Sequence, residues 1–209
     1  IYDLFMRYME NGQLWVHVKT SVYETVLGLI IGTVGGVIVA ILLWAFPRLS
    51  RVLDPFLVVL NALPKTALAP IVIVWVGANV KGIVVTAILI SIVVTILSAY
   101  NYFINVDEEK IKMLKSFKAT KLQILFKLIL PANIGNLINI IKINIGMAWV
   151  GVIVGEFLVS RNGIGYLILY GSQVFKLDIV MMGVFVLAVC AWIMYEIVNI
   201  IEKLYKNYR

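Results

Sequence analysis

Apolar residues run along the chain in long blocks that short polar stretches separate. The block from Gly82 to Ala99 is almost continuously apolar, whereas the strands of a membrane barrel alternate in polarity over segments of about ten residues. About 20 apolar helical residues cross a bilayer, and five blocks reach that length: Thr20–Trp44, Pro55–Val76, Val80–Phe103, Asn133–Phe157 and Ile179–Ile201. The pattern therefore predicts an all-α, polytopic transmembrane helical bundle with five spans.

The composition places the chain among integral membrane proteins. Of its 209 residues, 62% are hydrophobic and only 14% are charged, and the mean hydropathy is +1.01, beyond the range of ordinary soluble domains. The five blocks leave no room for a separate soluble domain, so we expect residues 1–209 to form one transmembrane domain. Since the sequence begins with Ile1 and holds an odd number of spans, we expect one further span upstream and six in a full chain.

Basic residues in the loops predict the orientation of the bundle. One set of loops holds eleven Lys and Arg residues and the other holds five. The first set is Arg48, Arg51, Lys110, Lys112, Lys115, Lys118, Lys121, Lys127, Lys203, Lys206 and Arg209; the second is Arg7, Lys19, Lys81, Arg161 and Lys176. Because positively charged loops stay in the cytoplasm, we expect residues 105–131 and the C-terminus to be cytoplasmic. Residues 1–19 then form an external segment, whose amphipathic pattern is typical of a helix at the membrane interface.

The segment 105–131, which we call the elbow, is predicted to form two short helices joined by a tight turn. In its first half, acidic residues precede lysines, the order that a helix dipole favours. A second helical pattern begins near Lys121 and is interrupted by Pro131.

Two interpretations of the elbow follow from its residues. A basic amphipathic hairpin could rest on anionic lipid headgroups, which attract lysines. Alternatively, Met113, Leu114 and Phe117 are apolar anchors for a groove on a cytoplasmic partner.

The elbow resembles the cytoplasmic loop of the membrane permeases of bacterial ABC importers. The pattern of that loop is Glu-Ala-Ala, a Gly after three further residues, and then Ile-x-Leu-Pro. Ile129–Pro131 matches its end, Lys112–Leu114 occupies the Glu-Ala-Ala positions, and Lys118 occupies the glycine position. The segments Leu60–Gly77 and Ile145–Ile168 resemble the branch of these permeases that imports nitrate, sulfonates, taurine and related small solutes.

The resemblance implies a type I ABC importer permease in the bacterial plasma membrane. It implies that the chain imports a small solute. The implied partners are two cytoplasmic ATPases, an extracytoplasmic solute-binding protein, a second permease copy in a homodimer, and membrane lipid, with no nucleic acid. ATP and Mg²⁺ would be bound by the ATPases, because the chain has no GxxxxGK[ST] loop. We expect neither enzymatic activity nor a metal site in it, since it holds one cysteine and His17 has no partner in the sequence. The implied coupling residues are Lys112, Met113, Leu114, Phe117, Lys118, Ala119 and Thr120.

Lys118 is a departure from the loop pattern that affects the backbone. Glycine enters left-handed backbone conformations cheaply. A lysine there must either turn with a right-handed backbone or carry strain of about 1 kcal/mol or more.

Small residues recur every four positions in the first and fourth predicted spans. Such stripes allow two helices in a bilayer to approach closely. We therefore expect Gly28, Gly32, Gly36, Gly151 and Gly155 to pack helices together.

Prolines and polar residues within the spans are candidates for the solute pathway. Pro64 and Pro70 interrupt the second block, and a broken membrane helix needs neighbours or a water-lined cavity to satisfy its freed carbonyls. Charged side chains inside spans usually face the bundle interior or a cavity. The candidate pathway residues are Pro64, Asn139, Lys142, Met147 and Glu156. Three of these residues have an alternative to a pathway role: a simple kink for Pro64, snorkelling for Lys142, and a structural or gating hydrogen bond for Glu156. Glu24 fits an interhelical hydrogen bond or a solute contact equally well.

Two other classes of protein fit part of the pattern. An ion-coupled secondary carrier could use Glu24, Lys142 or Glu156, but such carriers often have matching broken helices in two halves, and the Pro64–Pro70 break has no counterpart. A membrane scaffold could recruit an ATPase and transport nothing. The scaffold predicts no water-accessible positions along the fourth span.

Overall fold

The computed structural model describes residues 2–207, and throughout that range the regular structure is helical. Arg209, one of the basic residues used to predict the orientation, lies outside the described residues. The helices are α1 (Tyr2–Glu10), α2 (Gln13–Ala45), α3 (Pro47–Ala62), a 3₁₀ turn (Lys65–Leu68), α4 (Ala69–Val76), α5 (Val80–Ile104), α6 (Glu108–Ser116), α7 (Lys121–Ile124), a π-helical turn (Leu125–Ile129), α8 (Leu130–Ala132), α9 (Ile134–Val159), α10 (Ile164–Gln173) and α11 (Leu177–Asn207). The predicted all-α, polytopic bundle is confirmed.

Within the described residues, four helices are long and apolar enough to cross a membrane, namely α2, α5, α9 and α11. The second predicted span is instead a bent pair: α3 and the segment Lys65–Val76 meet at 89°. The bend follows from Pro64, which disfavours a helical backbone at the residue before it. Leu63 accordingly adopts an extended conformation, with φ −67° and ψ 141°. The chain therefore has five spans only if the bent pair counts as one.

Helix α5 lies at the centre of the bundle, between α2 and α9. Its Ala87 is fully buried. A Cβ atom built on Gly28 of α2 would lie 2.7 Å from the Cβ of Ala87, and one on Gly151 of α9 would lie 3.1 Å from the same atom. Because an alanine is held between two glycines, the three helices approach one another almost backbone to backbone.

The other glycines of the predicted stripes also face α5. Gly32 and Gly36 lie against Ser91 and Thr95, and Gly155 lies against Ile83. Thus both stripes point at the same central helix.

Two apolar clusters hold the ends of the bundle together. One joins α2, α9, α10 and α11 and contains the buried residues Leu14, Ile145, Trp149, Ile164, Leu167, Ile179, Met182 and Val186. The other joins α2, α5 and α9 to the second half of the elbow and contains Ala40, Ala99, Phe103, Ile124, Leu125, Ile129 and Ile140. The elbow is therefore fastened to the bundle core.

Candidate functional site

The elbow is built from two helices whose first turns are capped by their own side chains. Asp107 Oδ1 accepts a hydrogen bond from the backbone N–H of Glu109 at 2.9 Å, which caps α6. Thr120 and Gln123 form a reciprocal capping box at the start of α7: Thr120 Oγ1 accepts from the N–H of Gln123 at 3.3 Å, and Gln123 Oε1 accepts from the N–H of Thr120 at 2.8 Å. Since each cap satisfies donors that a helix end leaves free, the local sequence determines where both helices begin.

Lys118 forms the turn between the two helices in the left-handed conformation, with φ 57°. Its N–H donates to the carbonyl of Lys115 at 2.9 Å, and the N–H of Ala119 donates to the carbonyl of Leu114 at 3.1 Å. This pair of bonds is a Schellman motif, which ends a helix on a left-handed residue that is usually glycine. Of the two backbone conformations left open by the sequence, the structure adopts the left-handed one, with a strain of about 1 kcal/mol.

The predicted anchors of the elbow separate onto two faces of α6. Leu114 is partly buried and packs, with Ile111, against the cluster that fastens the elbow. In contrast, Met113 is 55% exposed and Phe117 is 75% exposed. Leu114 therefore faces the bundle, while Met113 and Phe117 form an open apolar face.

Lysines surround this open face. Lys112 pairs with Glu108 at 3.1 Å on the solvent-exposed side of α6, and Lys110, Lys115, Lys118 and Lys121 are also exposed. Lys121 additionally donates to the carbonyl of Ala45 at the end of α2, at 3.1 Å. The face is thus apolar at its centre and basic around it.

Asn144 forms a polar contact between all three central helices. Its side-chain N–H groups donate to Thr33 Oγ1 of α2 at 2.8 Å and to Thr95 Oγ1 of α5 at 2.7 Å. Asn144 is fully buried. Two pathway candidates on α9, Asn139 and Met147, lie instead on the side of the helix that the bundle leaves open. Asn139 is exposed and Met147 is partly exposed.

Lys142 binds the last helix and does not reach the open side of α9. Its ammonium group forms an ion pair with Glu202 of α11 and donates to Asn199 Oδ1 at 3.0 Å. It also lies 5.1 Å from the centre of the Tyr195 ring. Glu202 was not among the residues predicted from the sequence. The one local indication of its pairing is its position four residues before Lys206, with which it forms an ion pair at 2.6 Å.

Glu156 lies fully buried at the end of the bundle opposite the elbow, where it binds the start of α10. Its Oε1 accepts from Ser21 Oγ at 2.5 Å, and its Oε2 accepts from the N–H of Gly165 at 2.5 Å. A Cβ atom on Gly163 would collide with this carboxylate. Glu156 therefore makes structural hydrogen bonds and does not line an open surface.

Two further side chains of α2 complete the same contact. Ser21 Oγ accepts from the N–H of Ile164 at 2.7 Å, and His17 Nδ1 accepts from the N–H of Gly163 at 2.9 Å. His17 thus has a partner that its sequence neighbourhood did not reveal. Three consecutive N–H groups at the start of α10 bind side chains from α2 and α9, which holds α10 to both helices.

Glu24 is the remaining charged candidate, and it is fully buried one turn beyond Ser21. Ser21, three residues before it on the same buried face of α2, donates to Glu156, so Glu24 lies next to the Glu156 contact. Neither oxygen of Glu24 has a hydrogen-bond partner among the described residues, so an interhelical hydrogen bond of Glu24 stays a prediction. Pro64, the last pathway candidate, is exposed at the bend between α3 and α4.

These features define a polytopic helical membrane protein with a capped, partly apolar elbow outside its long helices. A family described as "Binding-protein-dependent transport system inner membrane component" matches residues 32–207. The chain belongs to this family. It is the permease subunit of an ABC importer, a multi-pass plasma-membrane protein that works with ATPase and binding-protein partners and is not itself an enzyme.

Several known proteins are similar to most of the chain. A probable ABC transporter permease protein of Haemophilus influenzae is 30% identical over 174 residues, covering 83% of this chain and 71% of that protein. A putative aliphatic sulfonates transport permease protein of Bacillus subtilis is 27% identical, covering 95% and 72%. The taurine transport system permease protein of Escherichia coli is 23% identical, covering 88% and 67%.

Solved structures support the same fold. A chain of the methionine ABC transporter in an inward-facing conformation superposes with a TM-score of 0.77 at 18% identity, covering 92% of this chain and 97% of that chain. The type I importer permease fold implied by the sequence is confirmed.

Proposed function

We propose that the elbow is the cytoplasmic docking site for the partner ATPases, and that the chain couples their ATP hydrolysis to uptake of a small solute. The observation that carries this proposal is the open face of α6. Phe117 and Met113 lie outside the membrane-spanning helices and are 75% and 55% exposed. An apolar face in that position is typical of a helix that inserts into a groove of a partner.

The way the elbow is attached to the bundle suits a mechanical role. Ile124, Leu125 and Ile129 are buried in the cluster that contains Ile140 of α9. A movement of the elbow would therefore be transmitted to α9. ATP binding drives transport only if it favours one orientation of the bundle over another, and a rigid connection meets that condition.

The lysines around the open face predict the character of the partner groove. A groove with an apolar floor and acidic sides would accept Phe117 while pairing with Lys115 and Lys121. An anionic membrane surface would also attract the lysines, but it would not require Phe117 to project at the tip of a capped turn.

A charge placed on the open face tests the docking. We expect Phe117→Asp and Met113→Asp to abolish co-purification of the ATPase, because a carboxylate would have to be buried in an apolar groove. The matched control is Phe175→Asp, since Phe175 is also a highly exposed phenylalanine, at 92%, but lies at the other end of the bundle. If Phe117→Asp still captures the ATPase as well as Phe175→Asp does, the docking assignment is wrong.

The open side of α9 is proposed to line the solute pathway, with a second copy of the chain closing it in a homodimer. Asn139 and Met147 belong to this side, whereas Lys142 and Glu156 are engaged in contacts within the chain. In a chain without Cys190, we expect a water-soluble thiol reagent to label Asn139→Cys and Met147→Cys. The control Ile140→Cys, at a buried position, should remain unlabelled. Equal labelling at all three positions, or none, would contradict the pathway and favour a non-transporting scaffold.

The proposed solute is a small sulfonate- or taurine-like compound. The names of the relatives from Bacillus subtilis and Escherichia coli support this class. In proteoliposomes that contain the permease, its ATPase and its binding protein, a sulfonate should stimulate ATP hydrolysis and be taken up. Uptake driven by an ion gradient without ATP would instead support a secondary carrier.

The proposed orientation follows from the function. The elbow and the C-terminus are cytoplasmic, and residues 1–19 lie outside. In a chain without Cys190, Lys118→Cys should be labelled by an impermeant reagent only after the cell membrane is opened. Labelling in intact cells would reverse the orientation and end the docking proposal.

A further inference from the structure

Two carboxyl groups are buried in the interior of the bundle, at the end opposite the elbow. Glu24 of α2 and Glu156 of α9 both have no exposed surface. Glu24 lies one turn along α2 from Ser21, whose hydroxyl donates to Glu156, so the two carboxyl groups are neighbours in the same buried region. Neither group is needed for the docking of an ATPase. Carboxyl groups buried side by side are costly unless something compensates their charge.

No positive charge among the described residues compensates this pair. None of the ion pairs in residues 4–206 includes Glu24 or Glu156. The ionisable groups of α2 and α10 on this side are His17 and Tyr166, whose ring centroids lie 5.9 Å apart. Lys19 and Tyr23 of α2 and Tyr170 of α10 are exposed. His17 accepts a hydrogen bond through Nδ1, as a neutral imidazole does.

The remaining neighbours contribute no charge either. The face of α5 that packs against this region consists of small and apolar side chains, including Ile83 and Ala87, and its Lys81 is exposed. Arg161, in the loop before α10, is also exposed. The compensation must therefore come from within the pair.

Hydrogen-bond partners assign different roles to the two carboxyl groups. Glu156 accepts from Ser21 Oγ with one oxygen and from the N–H of Gly165 with the other, each at 2.5 Å. In contrast, neither oxygen of Glu24 has a donor among the described residues. An ionised carboxylate can only accept hydrogen bonds, whereas a protonated one also donates. Glu24 is the group whose surroundings match a protonated acid.

We propose that Glu24 and Glu156 form a proton-binding site, in which Glu24 holds the proton and donates it to the Glu156 carboxylate. The bound proton links α2 to α9. It also keeps Glu156 in place to bind the N–H of Gly165, so the attachment of α10 depends on it. Loss of the proton leaves two carboxylates in contact without a donor between them, which loosens this end of the bundle.

Amide substitutions test the assignment, because they affect the two positions differently. In Glu24→Gln, the side-chain N–H replaces the acidic proton and still donates to Glu156. In Glu156→Gln, only one of the two side-chain atoms can accept, so either Ser21 or Gly165 loses its acceptor. We therefore expect Glu24→Gln to keep the wild-type Tm at neutral pH and Glu156→Gln to lower Tm by about 5 °C or more.

The pH dependence of Tm provides the second readout. The purified chain in lipid nanodiscs is unfolded thermally across a series of increasingly alkaline pH values. The Tm of the wild-type chain should fall relative to that of Glu24→Gln, because the amide cannot lose its donor. Parallel pH curves for the two chains, or equal Tm losses in Glu24→Gln and Glu156→Gln at neutral pH, would overturn the proposal.

Infrared spectroscopy detects the proton directly. The two chains differ only at residue 24, so at neutral pH the carbonyl stretch of a protonated carboxylic acid should be present in the wild-type chain and absent in Glu24→Gln. The stretch should not depend on the Na⁺ or K⁺ concentration. A wild-type spectrum without this stretch, or one in which Na⁺ or K⁺ removes it, would assign the site to a metal cation and refute the proton.

Discussion

The close packing of α5 between α2 and α9 predicts that the same substitution, glycine to alanine, changes the free energy of unfolding in opposite directions at two positions of α9. Gly146 and Gly151 lie on α9, five residues apart. A Cβ atom on Gly146 would meet nothing within 4 Å, whereas one on Gly151 would lie 3.0 Å from the backbone nitrogen of Ala87 and 3.1 Å from its Cβ. Since the backbone of α5 cannot yield as a flexible side chain can, Gly151→Ala must push α9 away from α5.

The magnitudes follow from this geometry. Replacing glycine by alanine inside a helix increases the free energy of unfolding by about 0.5–1 kcal/mol where space allows, which is the expected result for Gly146→Ala. Overpacking a core costs about 1–3 kcal/mol, which outweighs that gain in Gly151→Ala. Both variants gain the same helix propensity, so the difference between their free energies of unfolding is the steric cost alone, about 1–3 kcal/mol. This corresponds to a separation in Tm of about 2–12 °C.

Thermal unfolding of both variants in the same detergent and at the same scan rate measures this difference, with unfolding in SDS as an equilibrium check. Gly146→Ala should unfold at or above the wild-type Tm, and Gly151→Ala should unfold below it. If the two variants shift Tm equally, α9 does not pack on α5 through Gly151, and the arrangement of the central helices described above is wrong.

Three further predictions concern the elbow, the ion pair and the central polar contact. Lys118→Gly should raise the free energy of unfolding by about 1 kcal/mol, because it removes the left-handed strain. Lys115→Gly inside α6 should lower the free energy of unfolding by about the same amount. If both variants shift Tm in the same direction, the positive φ of Lys118 is wrong. Lys142→Met and Glu202→Gln should each lower Tm, and the double variant should lose less than their sum; additive losses would show that the two side chains do not interact. Asn144→Leu should lower the free energy of unfolding by about 1 kcal/mol, since two interhelical hydrogen bonds of about 0.6 kcal/mol each are lost, and an unchanged SDS midpoint would refute that contact.

Much of the fold follows from local sequence. The block from Gly82 to Ala99 predicts α5 because a continuous apolar run of that length satisfies its backbone in lipid only as a helix. The two helices of the elbow also follow from local patterns, since Asp107 and Thr120 cap them within their own first turns. In contrast, the 89° bend at Pro64 exceeds what a proline alone specifies, because the angle depends on how α4 packs against α5.

The candidate site was predictable only in part. The spacing of Met113, Leu114 and Phe117 predicts an amphipathic helix, but which of them faces the bundle depends on the position of α6 against α5 and α9. The partner of Lys142 is 60 residues away in the chain, and no periodicity indicates a pairing at that distance.

The sequence by itself determined that this is a helical membrane protein, where four of its spans lie, and that it resembles an ABC importer permease, because hydrophobicity, capping and loop motifs are local properties. Only the tertiary structure decided that a glycine of each stripe packs on Ala87, that Lys118 turns left-handed, and that Glu156 is buried against Ser21 and the start of α10. These are contacts between helices distant in sequence, or a choice between two backbone conformations. Each depends on how the helices are rotated and spaced in the bundle, which packing determines and local pattern does not.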